Sequence, residues 1–441
     1  FLFSAEEEAL VRSGLRPGME TDIQTLEALR RESEYIYGRE WALHLLEYKA
    51  YSRRMLLDRL RRQIDEIDEA MAALLCRRMD CSAAVAAYKA EHGLPVLNAG
   101  REAEVLRETA EQVRRERPHA AGYPEAAQLV FATMMDTSRA LQHRRMGAGN
   151  ALRQEIASAR QRPLCTGQTR VACAGCAGAF AHEAARAMFP FCREDGREPL
   201  FVASFAEVFA AVEDGRADYG VVPVENSSTG SVNEVFDLIL AHRFSIVSAA
   251  VVKVHHCLMA LPGAQHITDV YSHHQALSQC GEYIVSHGLH AHAYANTAMA
   301  ADMVARSGDP TIGAIASEQA ADLYGLQILE RDIQSVPHNC TRFIAISKRA
   351  VIPPEAGKIS LIFSIPHETG SLYRTLSRFA IEGLNLTKIE SRPMRTGDFE
   401  YAFYLDFEGS VVRENTLELL CALSEEMPQF TFLGNYTEWE S

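Results

Sequence analysis

The run Val221-Val222-Pro223-Val224-Glu225-Asn226-Ser227-Ser228-Thr229-Gly230 ends an apolar strand in five consecutive hydrogen-bonding side chains. Burying such groups without partners costs roughly 1–3 kcal/mol each. Two uses fit the pattern. Ser228 or Thr229 could cap the following helix, SVNEVFDLIL, or the strand end and helix N-terminus could cradle a small anion. A second constellation lies upstream. Leu60, Ile64, Ile67, Met71, Leu74, Leu75 and Val85 mark one face of a long amphipathic helix. Arg78 and Lys89 fall on that face, eleven residues apart and so nearly three full turns. Unpaired buried cations are costly, so carboxylates, an anionic ligand or snorkelling to water must relieve them. Arg61 lies seventeen residues before Arg78, points elsewhere, and would serve another site, for instance in a partner subunit. A later helix carries Phe131, Met134 and Met135, and Ser138 and Gln142 continue that stripe; Asn98, Arg101 and Glu102 lie between the two helices. Several cations with a few neutral or acidic hydrogen-bonding groups suit a compact dianion. Its reaction would need orientation and charge stabilisation but no nucleophile.

The elements that must hold these residues fall into unlike regions. Residues 1–54 read as a charged helical extension, 55–145 as helical and 146–167 as a linker. Residues 168–348 alternate short apolar strands with helices, and 357–441 read strand, helix, strand, strand, helix, strand. A length of 441 residues with 47% hydrophobic content fits several domains, each with its own core. A net charge of −14 argues against nucleic-acid or anionic-membrane partners. There is no apolar run of about 18 residues, and Phe1-Leu2-Phe3 is too short for a signal peptide. Ten cysteines without a disulfide-framework spacing point to reduced thiols in the cytoplasm. Cys173 and Cys176 have redox spacing but fall in a glycine loop, the histidine pairs lack a ligand set, and no GxGxxG follows a strand. No metal or cofactor is expected.

These residues carry a resemblance to known families. Residues 55–145 resemble the all-helical chorismate mutase domain through Arg61, Arg78, Lys89, Arg101, Glu102, Ser138 and Gln142, with Asn98 where aspartate is common. The resemblance implies an intertwined dimer in which Arg61 enters the partner's site. Arg78, Arg101 and that Arg61 would hold the substrate carboxylates. Lys89 and Gln142 would stabilise the ether oxygen, and Glu102 the hydroxyl. The middle region resembles prephenate dehydratase. The matching segments are Glu225-Asn226-Ser227, Ser272-His273-His274-Gln275-Ala276, Asn296-Thr297-Ala298, Ala314-Ile315-Ala316-Ser317 and Thr341-Arg342-Phe343. The implied fold is two α/β lobes, like a periplasmic binding protein, with the site in the cleft. The loop Gly175 to Ala181 keeps both glycines, Gly175 and Gly178, but lacks the usual proline and hydroxyls, so an anion there would rely on backbone amides. The last region resembles the ferredoxin-like ACT regulatory domain through Gly370-Ser371-Leu372 and Glu390-Ser391-Arg392-Pro393. That implies phenylalanine bound between two such domains, in a homodimer or homotetramer.

Prephenate must lose carboxylate and hydroxide together. The expected dehydratase needs a donor at the leaving hydroxyl and a clamp on the side-chain carboxylate. It should also leave the ring carboxylate poorly solvated. Thr341 is the expected donor, Arg342 the clamp or orienter, and Glu225 an alternative proton source. Asn226, Ser227, Phe343, Ser272, His273, Gln275, Thr297 and Ser317 are expected to bind substrate. The rival readings are an arogenate dehydratase and a non-enzymatic sensor of aromatic ligands.

Overall fold

The computed structural model describes residues 53–147, 149–166, 168–194, 197–336, 338–367, 370–393 and 401–440. The helical extension expected at 1–54 therefore lies almost wholly outside the described residues. The chain forms two compact units, Phe1–Arg145 and Met146–Ser441.

In the first unit, α1 spans Arg53–His92, α2 Ala99–Glu116 and α3 Tyr123–Met146. The α1 sequence is rich in Ala, Arg and Leu, all good helix formers. It stops where Gly93 turns to φ +62° and Pro95 follows. Asn98 caps α2, its side-chain oxygen accepting from the Arg101 amide at 3.1 Å. The apolar face of α1 is not core within one chain, as Ile67 and Leu74 are 57% and 58% exposed.

The second unit opens with α4 (Asn150–Arg160). Then come β1 (Val171–Ala174), α5 (Phe180–Met188), α6 (Pro190–Glu194), β2 (Leu200–Val202), α7 (Phe205–Glu213), β3 (Tyr219–Asn226), β4 (Gly230–Ser231), α8 (Asn233–His242) and β5 (Ser245–Lys253). A second group follows: β6 (Cys257–Ala260), β7 (Asp269–Ser272), α9 (His274–Gln279), α10 (Gly281–Ser286), β8 (His290–Ala293), α11 (Thr297–Ser307), β9 (Ile312–Ala316), α12 (Glu318–Tyr324) and β10 (Gln327–Glu330). The chain returns through β11 (Cys340–Ser347) and ends with β12 (Lys358–Ser364), α13 (Ser371–Ile381), β13 (Asn385–Pro393), β14 (Tyr401–Glu408), α14 (Glu414–Glu426) and β15 (Thr431–Glu440).

Among the described residues two sheets form. One has the order β13-β14-β12-β15-β5-β11-β3-β1-β2 with β4 on β3, and the other β10-β6-β9-β7-β8. The larger sheet crosses the expected boundary near 349–356, because β15 pairs in parallel with β5. The C-terminal βαββαβ layer thus lies in one sheet with the first lobe. The β3–β11 pair is the central seam. Phe343 pairs with Pro223 and Arg342 with Glu225, so Val224 is an extra residue and the ladder shifts there. Proline offers no N–H to the ladder, and strands accommodate that loss at a bulge. Beyond it, Arg342 stands opposite Glu225, and Thr341 opposite Asn226.

Candidate active site

A cavity of about 250 Å³ lies between the two lobes of the second unit. The first lobe lines it with Gly175, Phe180, Asn226 and Thr341, and the second with His256, His273, Gln275, Gln279, Asn296 and Thr297. Strand alternation makes Asn226 and Thr341 neighbours on this face, and the Asn226 amide donates to the Thr341 hydroxyl oxygen at 2.9 Å. The same amide donates to Asn339 at 2.7 Å. The Asn226 side-chain oxygen accepts from the Ser228 hydroxyl at 2.6 Å and from the Ser228 and Thr229 amides at 3.0 and 3.1 Å. The buried asparagine is saturated and cannot rotate without losing several bonds. With Asn226 donating to it, the Thr341 oxygen keeps its own proton for a partner in the cleft.

The chain of donors continues across the lobes. Gln279 donates to Ser228 at 3.2 Å, and its oxygen faces His256 Nε2 at 2.9 Å. That contact assigns the proton to Nε2. Burial holds the His256 imidazole below its ordinary value, hence neutral, and its buried Nδ1 has no partner among the described residues. Gln275 also crosses the cleft, to the Thr229 hydroxyl at 3.1 Å. No Asp, Glu, Lys or Arg lines the cavity among the described residues. Negative charge would meet neutral donors, the loop at Gly175 (φ +103°), and the N-termini of α5 and α11.

Several expected site residues lie elsewhere. Arg342 points to the opposite face of the sheet, buried against Asp406, Glu438 and Tyr436 at 2.5, 2.5 and 2.8 Å, and is no clamp in the cleft. Glu225 shares that face, pairs with Lys388 at 2.9 Å, and is not placed to give a proton in the cavity. Both corrections follow from the two-residue period of a strand. Phe343 is core. Ser227 bonds Cys340 and His338 across the seam. Ser272 is fully buried and donates to the Ile315 carbonyl at 2.5 Å. Ser317 caps α12 and donates to the Gly178 carbonyl at 2.9 Å, which ties the lobes together. Gly178 sits at φ +81°, where a Cβ would meet the Ala320 backbone at 3.2 Å. Ser228 and Thr229 do not cap α8, whose N-cap is Val232 with no side-chain bond. Sequence reasoning missed His256, Gln279 and Phe180 as cavity residues. A histidine after strand β5 gives no signal by type or spacing, whereas Asn296 opens a segment, Asn296-Thr297-Ala298, that the sequence did single out. The Cys173 thiol is pushed by burial up to about 12, which removes thiolate chemistry at neutral pH.

In the C-terminal layer, Glu390 accepts from Ser231 at 2.7 Å, and Arg392 binds Asp237 at 2.7 Å and Asn233 at 2.9 Å. Those two side chains are engaged by the first lobe rather than left for an effector. Ser391 and Pro393 are exposed. Gly370 (φ +83°) opens α13 without a side-chain cap, followed by buried Ser371 and half-buried Leu372.

In the helical unit, Arg78 donates to Ser138 at 2.5 Å and to the Met134 carbonyl at 3.1 Å. Gln142 donates to Ser82 at 3.2 Å, and Lys89 to the Val96 carbonyl at 2.5 Å. Burial lowers the Lys89 ammonium value and nearby Glu102 opposes that shift. Glu102 is held by Arg139, which also binds Asp136; Arg139 was not foreseen. Arg61 and Arg101 stay at the surface beside Asp58 and Glu104. The Asn98 oxygen serves as a cap.

Comparison with known proteins follows this division. A family model for prephenate dehydratase matches residues 171–351, and one for chorismate mutase type II matches 60–143. The bifunctional chorismate mutase/prephenate dehydratase of Aquifex aeolicus is 33% identical over 385 residues, 86% of this chain and 97% of the relative. Arogenate dehydratase 1 of Petunia hybrida is 39% identical over 295 residues, 62% of this chain and 68% of the relative. Among solved structures, a protein titled GqqA, a novel type of quorum quenching acylase, is 33% identical with a TM-score of 0.54, covering 60% of this chain and 97% of that chain. The prephenate dehydratase of Arthrobacter aurescens in complex with L-Phe is 27% identical with a TM-score of 0.54, covering 61% and 90%. Among the described residues no helix is long and apolar enough to cross a membrane.

Proposed function

Since the chain belongs to the bifunctional chorismate mutase/prephenate dehydratase family, we propose that it makes prephenate from chorismate in its helical unit and phenylpyruvate from prephenate in the cleft. The observation that carries the dehydratase assignment is the Asn226–Thr341 hydrogen bond at 2.9 Å on the cleft face. It turns a weak acid into an oriented donor for the departing ring hydroxyl. Helix N-termini and the Gly175 loop hold the side-chain carboxylate. Among the described residues no cation lines the cavity to meet the ring carboxylate, so its charge is free to disperse as CO₂ leaves and the ring aromatises. In the mutase, Arg78 and Ser138 orient the dianion, and Lys89 and Gln142 give up their intrachain acceptors to meet the ether oxygen. The exposed α1 stripe supports a dimer whose second copy covers it and supplies Arg61.

Prephenate is favoured over its amino analogue arogenate because no carboxylate among the described residues lines the cleft to pair an ammonium. Phenylalanine is assigned to the C-terminal layer at the uncapped start of α13. That the Arthrobacter relative was solved with L-Phe supports this. The free thiols suit a reducing compartment such as the cytoplasm. The test is incubation of the full chain with chorismate, following prephenate and phenylpyruvate, with arogenate as a rival substrate and with added phenylalanine. Both products should appear, prephenate should outcompete arogenate, and phenylalanine should slow the second step. Absence of phenylpyruvate from supplied prephenate removes the dehydratase assignment.

A further inference from the structure

The two rungs beyond the Val224 bulge are polar on both faces of the sheet. Toward the cleft stand Asn226 and Thr341; toward the C-terminal layer stand Glu225 and Arg342. Among the described residues the side-chain partners of the rear pair lie in that layer. Arg342 is 8% exposed and donates to Asp406 and Glu438 at 2.5 Å each and to the Tyr436 hydroxyl at 2.8 Å. Fully buried Ser360 donates to the other Asp406 oxygen at 2.5 Å, and Lys358 holds the second Glu438 oxygen at 2.7 Å. Lys388 binds Glu225 at 2.9 Å and Ser231, in the strand after the Asn226 turn, at 3.1 Å. Glu390 and Arg392, at two-residue steps along the same strand, grip Ser231, Asn233 and Asp237.

We propose that Arg342 and Glu225 are positioning residues of the dehydratase, clamped from behind by Asp406, Glu438 and Lys388 so that Thr341 and Asn226 keep their reactive geometry. This rests on the dehydratase reading of the cleft. The physical reason is leverage. Arg342 is bonded to the residue before it, so a shift of the guanidinium fork moves Thr341 directly. A donor displaced by about 1 Å loses on the order of 100-fold in rate. The C-terminal layer therefore does more than carry an effector: its side chains complete the support of the catalytic rung.

The test uses the full chain and two variants remote from the cleft, Glu438→Gln and Lys388→Met. Each should lower dehydratase kcat by about tenfold or more with KM changed less than about threefold. The mutase rate, read in the same samples, should stay unchanged. Amide exchange by mass spectrometry should quicken over peptides spanning residues 225–227 and 340–343. Arg342→Lys should reproduce the kcat loss, and combining it with Glu438→Gln should add little. A structural role alone would lower Tm with kcat and local exchange unmoved, and that result overturns the proposal. So does a substrate-clamp signature, with KM raised by Arg342→Lys while Glu438→Gln is silent. If the wild-type chain converts neither prephenate nor arogenate, the functional reading fails separately. The exchange data then decide the clamp by themselves.

Discussion

Thr341 is a poor acid alone, and its neighbour supplies what it lacks. The Asn226 amide donates to Thr341 at 2.9 Å, while its oxygen anchors the Ser228–Thr229 turn. Replacing that amide by a carboxylate keeps the anchor but reverses the bond, so the threonine proton would turn away from the cleft. Asn226→Asp should therefore cost about 100-fold in dehydratase kcat, roughly 2.7 kcal/mol. Thr341→Val should cost a similar factor. Because both remove the same oriented proton, the double variant should lose little more than either single one. Additive losses in steady-state kinetics would show that the two side chains act separately. The residues were legible in the sequence as types, since Glu225 to Thr229 and Thr341 to Phe343 stood out. Which of them face the cleft was not. Alternation along a strand splits neighbours between faces, and the bulge at Val224 sets which neighbour goes where.

At the scale of elements, the cleft depends on how closely the glycine loop meets α12. Gly178 adopts φ +81°, and a Cβ there would sit 3.2 Å from the Ala320 Cα, while Ser317 donates to the Gly178 carbonyl at 2.9 Å. A left-handed backbone with a Cβ costs about 1–2 kcal/mol before the clash is counted. Gly178→Ala should lower stability to urea by about 2 kcal/mol and raise dehydratase KM, because the lobes are wedged apart. Gly175, with φ +103° but only ordinary contacts in reach, the Ala179 Cβ at 3.4 Å and Asn296 Nδ2 at 3.9 Å, should be destabilised less when changed to Ala. Equal losses at both positions would mean that backbone strain, and not lobe contact, dominates. The long helix α1 illustrates the opposite limit. Its 3.6-residue stripe was plain in the sequence, yet Ile67 and Leu74 remain exposed in one chain. Periodicity reports that a face needs covering and is silent about which chain covers it.

Across the whole second unit, the buried charges couple stability to pH. Burial acts to raise the Glu438 carboxyl, but Arg342 and Lys358 outweigh it and hold the group below its ordinary 4.5. The depressed value stabilises the fold above the unfolded-state pKa, and the contribution is lost as pH falls through the folded value. The stability gap between wild type and Glu438→Gln should accordingly be widest near pH 7 and close below about pH 4.5. Urea midpoints at several pH values would check this, and a gap independent of pH would refute it. Sequence by itself determined the kinds of region and their order: a helical stripe bearing Arg78 and Lys89, alternating strands and helices, and a closing βαββαβ pattern. It also marked the polar strand end at Asn226, because polar clustering is written in the chain, whereas Thr341 stood out only through the resemblance of Thr341-Arg342-Phe343 to the dehydratase family. Only the tertiary structure decided that β15 would join β5 and turn the C-terminal layer toward the back of that seam. It alone brought His256 and Gln279 to the cleft and gave Arg342 to Asp406 and Glu438. The Arg342 pairings join residues 64 and 96 positions apart, and their partners are set by strand register and face, which no local pattern encodes.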